Sequence, residues 1–175
     1  MNFNQAVHFF EDDYRIEKFW NNPKKYFAKL SRFSEVLGID YSVSWDFPEA
    51  LKNYNYFRNN TCTFYLQKLS LEVIPQARCE YYNHKEVLAG HPKNSTIAIG
   101  ARSMVRNPRD RQVLRESVKC IVDFLKPHTI LWYGSNRYGV SDYAVDRGIR
   151  VAFYNADQNG VSRGELREVV NDGRS

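Results

Sequence analysis

Four arginines, Arg78, Arg102, Arg106 and Arg137, fall in short polar stretches that follow apolar runs. A guanidinium offers an oxyanion two parallel N–H groups, so arginines brought together could bind phosphate in bidentate fashion. Gly134-Ser135-Asn136 precedes Arg137 and resembles a small-residue turn where backbone N–H groups approach a phosphate, although it lacks the spacing and the lysine of a P-loop. Two carboxylates, Asp46 and Glu80, could work as an acid–base pair or hold a divalent metal. Together with the arginines they would make a metal-assisted phosphoester hydrolase. Each candidate also has a plainer role. Loop arginines are commonly solvated, Gly134-Ser135-Asn136 suits an ordinary strand-ending turn, Asp46 suits the cap of a helix starting at Pro48, and Glu80 suits a surface loop.

Other chemistries find less support. Cys79, His84 and His91 are the soft-metal candidates, but their spacing matches no zinc module, so no metal ligands are assigned. No Ser-His-Asp arrangement, nucleophile elbow, His-x-His motif or dinucleotide fingerprint is present, and the sequence specifies no cofactor. Tyr54, Tyr56, Phe57, Tyr81 and Tyr82 lie near basic residues. Aromatics interleaved with cations are what a single-strand binder uses, stacking bases and tracking phosphates, while core packing accounts for at least Tyr54.

The elements that would position these groups follow from hydrophobic periodicity. Pro23 opens a helical pattern with Phe27, Leu30, Phe33 and Leu37 on one face and Gly38 at its end. Residues 40–46 alternate strictly, Tyr41, Val43 and Trp45 against Ser42, Ser44 and Asp46, which predicts a strand. A helix follows from Pro48, with Arg58 interrupting its mostly apolar stripe, and then a strand over 71–78 in which Pro75 marks an edge or bulge. The run 96–100 predicts a buried strand. Asn107 caps the next helix, whose Leu114, Val118, Ile121, Val122 and Leu125 share a face before Lys126-Pro127 stops it. A strand over 129–134, a short helix over 140–147 ending at Gly148 and a strand over 150–155 complete the pattern.

Strands alternating with helices predict an α/β fold: a mostly parallel five-stranded sheet flanked by helices, open doubly wound or half-barrel-like. A single domain spans 1–159, with a polar tail, 160–175, that is helical or partly disordered. Ligands of such sheets bind outside the carboxyl ends of the strands. That rule selects Asp46, then Arg78 and Glu80, then Gly100, Arg102 and Ser103, then Gly134, Ser135, Asn136 and Arg137, and finally Asn155 and Asp157.

Composition bounds the partners. The 175 residues carry a formal charge of +5, which favours anionic partners or serves solubility alone. No run approaches the roughly 18 apolar residues of a membrane helix, and the acidic start argues against a signal peptide, so the expectation is a cytoplasmic protein. Cys62, Cys79 and Cys120 have no paired spacing and suit free thiols. In that compartment the sequons at Asn59 and Asn94 should stay unmodified.

Several segments together resemble one family. Glu11-Asp12-Asp13-Tyr14, Phe19-Trp20-Asn21-Asn22-Pro23, Asp40-Tyr41-Ser42, Trp45-Asp46-Phe47-Pro48-Glu49-Ala50-Leu51, Tyr56-Phe57-Arg58-Asn59, Val73-Ile74-Pro75, Pro92-Lys93-Asn94-Ser95, Leu125-Lys126-Pro127 and Tyr133-Gly134 are similar to an uncharacterised phage and mobile-element family, a domain of unknown function. The match runs from about His8 to Asn155. The family pattern has a Trp near Cys79 and a less basic segment after the third strand, where this chain has Arg78-Cys79-Glu80-Tyr81 and Gly100-Ala101-Arg102-Ser103. If those loops line the site, the ligand differs. The resemblance implies a phage or mobile-element setting and carries over no catalytic residues. The expected function is an accessory protein binding nucleic acid or a nucleotide at the strand ends, the alternatives being the hydrolase and a non-catalytic host-protein binder. Oligomeric state is not readable.

Overall fold

A computed structural model describes residues 3–154 and 167–169. The chain forms two compact units, Met1–Gln76 and Ala77–Ser175. It is a mixed α/β structure with parallel strands, but the expected five-stranded sheet is not formed: the strands divide into a three-stranded and a four-stranded sheet.

In the first unit the order is β1 (Phe3–Phe9), α1 (Asp13–Asn21), α2 (Lys24–Leu30), β2 (Phe33–Ile39), α3 (Glu49–Lys68) and β3 (Val73–Ile74). The sheet order is β1-β2-β3, parallel throughout. Ile16, Phe19, Leu30, Val36, Ile39, Tyr41, Cys62 and Leu66 form its core. The helix predicted to run from Pro23 to Gly38 is broken at residues 31–32. Phe33 and Leu37 belong to β2, whose last four residues are all buried, and a strand covered on both faces loses the period-2 signal that separates it from a helix. Gly38 is therefore no helix terminus. A Cβ there would lie 2.8 Å from the Gln76 backbone nitrogen and 2.8 Å from Thr63 Oγ1, so the glycine lets α3 and the chain after β3 close on β2.

Residues 40–46 are not a strand. Tyr41 and Val43 are buried as the alternation predicts, whereas Trp45 is 42% exposed. Side chains bond this backbone instead of a neighbouring strand. The Tyr41 N–H donates to Asn59 Oδ1 (2.6 Å) and Asn59 Nδ2 donates to the Tyr41 carbonyl (3.2 Å). The Ser42 N–H donates to Asp13 Oδ1 (3.0 Å), and Asn55 Nδ2 donates to the Ser42 carbonyl (2.6 Å). Alternation reports which side chains are buried; it does not report what satisfies the peptide groups. Of the strand predicted over 71–78, only Val73–Ile74 pairs with β2. α3 begins at Glu49 with Pro48 as its N-cap and no side-chain cap bond, so Asp46 does not cap it.

The second unit contains α4 (His84–Val87), β4 (Thr96–Gly100), α5 (Pro108–Leu125), β5 (Thr129–Tyr133), α6 (Asp142–Val145), β6 (Arg150–Tyr154) and β7 (Arg167–Val169). The sheet order is β4-β5-β6-β7; the first three are parallel and in register, Thr96 beside Thr129 beside Arg150, and β7 is antiparallel to β6. Consecutive strands lie side by side, without the reversal of strand order that a doubly wound sheet has. Three residues of the expected helical or disordered tail are thus a strand; the rest of that tail lies outside the described residues.

α5 folds as its sequence predicts. The Asn107 side chain accepts a bond from the Asp110 N–H (2.9 Å), satisfying a helix-start donor. Leu114, Val118, Ile121, Val122 and Leu125 are all buried against Ile97, Ile99, Ile130, Trp132 and Val151. Each such side chain contributes on the order of 1.5–3 kcal/mol of apolar burial. Among the described residues, no helix is long and apolar enough to cross a membrane.

Candidate functional site

The carboxyl ends of β4 and β5 meet in the second unit. Beyond the strands the hydrogen-bond ladder continues, with the Ala101 N–H on the Tyr133 carbonyl (2.8 Å) and the Gly134 N–H on the Tyr154 carbonyl (2.9 Å). Gly134 has φ +121, and a Cβ on it would stand 2.7 Å from the Arg102 nitrogen and 3.0 Å from the Arg102 Cα. Both the positive φ and the contact require glycine. The loop after β5 consequently lies directly on the loop after β4. Arg78 reaches the same place, its Nη2 donating to the Gly100 carbonyl at 3.4 Å.

Of the residues expected to bind ligand, Arg102, Ser103, Arg106, Ser135 and Arg137 are exposed on these loops. Arg106 stands just before α5. Ser135 and Asn136 shape the turn: Ser135 Oγ accepts the Arg137 N–H (3.1 Å), and Asn136 Oδ1 accepts the Ser141 N–H (3.0 Å). The two loops that cross at Gly134 therefore carry exposed arginines, with Ser135 and Asn136 holding the second turn in shape.

The carboxylates expected to be catalytic have other partners. Asp46 is exposed in the first unit, where Oδ1 accepts the Ser44 hydroxyl. Glu80, in the second unit, accepts the Tyr82 hydroxyl at 2.6 Å, and its N–H donates to Asn83 Oδ1 at 2.9 Å. Cys79 is buried against Ser117, and burial pushes its thiol up to about 12. His84 Nδ1 lies 2.7 Å from the Tyr81 carbonyl. Among the described residues, no three His, Cys, Asp or Glu side chains converge to hold a metal. Asn155 and Asp157 lie outside the described residues. Of the aromatic set, Tyr56 is buried while Tyr54, Phe57, Tyr81 and Tyr82 are exposed.

Two arrangements escape the strand-end rule. In the first unit Arg58 is 8% exposed and packs over the rings of Tyr41 (3.5 Å) and Tyr54 (4.6 Å). Its Nη1 donates to Glu17 Oε2 (2.8 Å) and its Nη2 to Asn55 Oδ1 (2.6 Å). Burial, then the bond to Glu17, raises the Tyr41 phenol above its ordinary range. The sequence signal is the arginine within the expected apolar stripe of α3, which the structure corrects: the helix buries Lys52, Asn55, Arg58 and Asn59 while Leu51 and Tyr54 are exposed. In the second unit Arg111 packs 4.1 Å over the Tyr138 ring, Arg137 lies 5.9 Å from that ring, and Arg115 donates to the Tyr138 carbonyl (2.8 Å). Its signal is the density of arginine around Asn107.

Comparison with known proteins gives a family but no reaction. The "Gene 1 protein" of Mycobacterium phage L5 is 30% identical over 134 residues, covering 76% of this chain and 58% of that protein. The "Gene 1 protein" of Mycobacterium phage D29 is also 30% identical over 134 residues, covering 76% of this chain and 50% of that protein. The match thus spans little more than half the length of these relatives. No solved structure matches the chain significantly. The family profile described as "Domain of unknown function (DUF4417)" matches residues 1–154, which is most of the chain, and the chain belongs to that family.

Proposed function

We propose that this chain is a phage or mobile-element accessory protein that binds an anionic ligand, nucleic acid or a nucleotide, where the loops after β4 and β5 meet. The observation that carries the reading is the contact of Gly134 with the Arg102 backbone, which seats two arginine-bearing loops edge to edge. Arg78 joins them through the Gly100 carbonyl. Exposed arginines on these loops suit phosphate oxygens, and the chain's +5 charge supports an anionic partner.

The test is equilibrium binding of a labelled nucleotide and of labelled DNA and RNA at several salt concentrations. The expected affinity falls steeply with salt, because each neutralised phosphate releases counterions. The double variant R102Q/R137Q should lose tenfold or more. Absence of binding at low salt rejects the reading and leaves these arginines as a solvated face. The hydrolase alternative draws less support, since one oxygen of Asp46 and one of Glu80 are already engaged by the Ser44 and Tyr82 hydroxyls.

A further inference from the structure

Charge in the second unit is concentrated beyond the strand ends. Between Arg102 and Arg115 the sequence carries five arginines against one acidic residue, Asp110. On α5, Arg111, Arg115 and Lys119 stand at i, i+4 and i+8, so they form one row with steps of about 6 Å along the axis. The row follows the seam between α5 and residues 136–147, and tyrosines line that seam. Arg111 lies over Tyr138 and Arg115 bonds its carbonyl; Lys119 lies 5.6 Å from the Tyr143 ring, whose other neighbour is Arg147 at 3.4 Å.

The partners of these cations matter most. Arg111 donates to the Val105 carbonyl (3.2 Å), so Arg111 and Arg115 are held by a ring and by carbonyl oxygens. Neutral partners fix a guanidinium in place without cancelling its charge. Acids do occur further along: Asp123 accepts the Tyr143 hydroxyl (2.9 Å) and is paired with Arg147 (3.6 Å), whereas Glu116 accepts from the neutral Gln112 amide (2.7 Å) and keeps its charge.

Past Lys119 the row opens into a groove of about 630 Å³ lined mainly by Tyr81, His84, Phe124 and Tyr143, with Glu116 and Asp123 also on its wall. Tyr81 is 71% exposed at its edge. A cationic row leading into an aromatic groove is the combination by which single strands are held, phosphates on the cations and bases stacked on the rings. A duplex hides its base faces and gains nothing from exposed tyrosines.

We infer that the outer face of α5, from Tyr138 past Arg111, Arg115 and Lys119 to the Tyr81 groove, is a track for single-stranded nucleic acid. The inference rests on the proposed anion site at the strand ends, from which the track starts.

Fluorescence anisotropy with a labelled 20-nucleotide oligothymidylate, a duplex of equal length and a labelled mononucleotide tests it on the whole chain. The single strand should bind at least tenfold tighter than the duplex at equal salt. R111Q/R115Q should weaken single-strand binding tenfold or more and reduce the salt slope by about 1.4, at roughly 0.7 for each phosphate that the two arginines no longer hold. Tyr81→Ala, an exposed position whose truncation leaves the core intact, should weaken it several-fold at unchanged slope. Equal or tighter duplex binding, or full single-strand affinity in R111Q/R115Q, overturns the track. If the mononucleotide still binds in an R102Q/R137Q-sensitive way, only the track falls; if nothing binds, the strand-end site falls with it.

Discussion

Both units place arginine on tyrosine, with opposite outcomes for the charge. Arg58 is buried between Tyr41 and Tyr54 and spends its Nη donors on Glu17 and Asn55. Arg111 is half-buried over Tyr138 and, among the described residues, meets a ring and a carbonyl. The ring contact is common to the two. What separates them is the carboxylate, which neutralises the first cation inside the fold and leaves the second available to a partner.

The largest effect is expected at Arg58. Arg58→Met should destabilise the first unit by about 3 kcal/mol, since it strands the Asn55 amide and loosens the seat of the two rings; a change under about 1 kcal/mol in urea unfolding would contradict the buried-anchor reading. Next comes Gly134→Ala, at about 2 kcal/mol, from a strained φ and a Cβ pressed on the Arg102 backbone. It should also separate the two arginine loops, read as weaker nucleotide binding; unaltered stability would mean the loops part without cost. Asn107→Ala should cost about 1 kcal/mol by removing the α5 cap, measured by the same unfolding curves. The smallest effect sharpens the comparison most. Arg111→Gln should change stability by less than about 0.5 kcal/mol, and a destabilisation as large as that of Arg58→Met would show that Arg111 too is an internal anchor.

The two units also differ in how far their sequences could be read. β4, α5, β5 and β6 fall within a residue of their predicted bounds, because each buries one regular set of side chains on a neighbour adjacent in sequence. In the first unit the pattern does not predict β1, runs β2 into the end of a helix, and predicts a strand over residues 40–46. The causes are long-range: β2 is covered on both faces, and the 41–42 backbone is bonded by Asn55, Asn59 and Asp13. The arginines at the strand ends were legible from the topology alone. Arg111, Arg115 and Tyr138 were not, since only the fold-back of residues 134–140 onto α5 brings them together. Asp46 and Glu80 were legible as acids, and their hydroxyl partners were visible only in three dimensions.

The amide of Asn59 serves as a substitute strand for Tyr41, and this closes a chemical door. Asn59 opens one of the two sequons, yet it is buried with its oxygen and its nitrogen both committed to the Tyr41 backbone. A sugar on Nδ2 would have to break that pair. A glycan at Asn59 is thus incompatible with this fold. Asn94, exposed just before β4, keeps its amide open to a transferase. If the chain were routed through a secretory pathway, only that second sequon would record the passage.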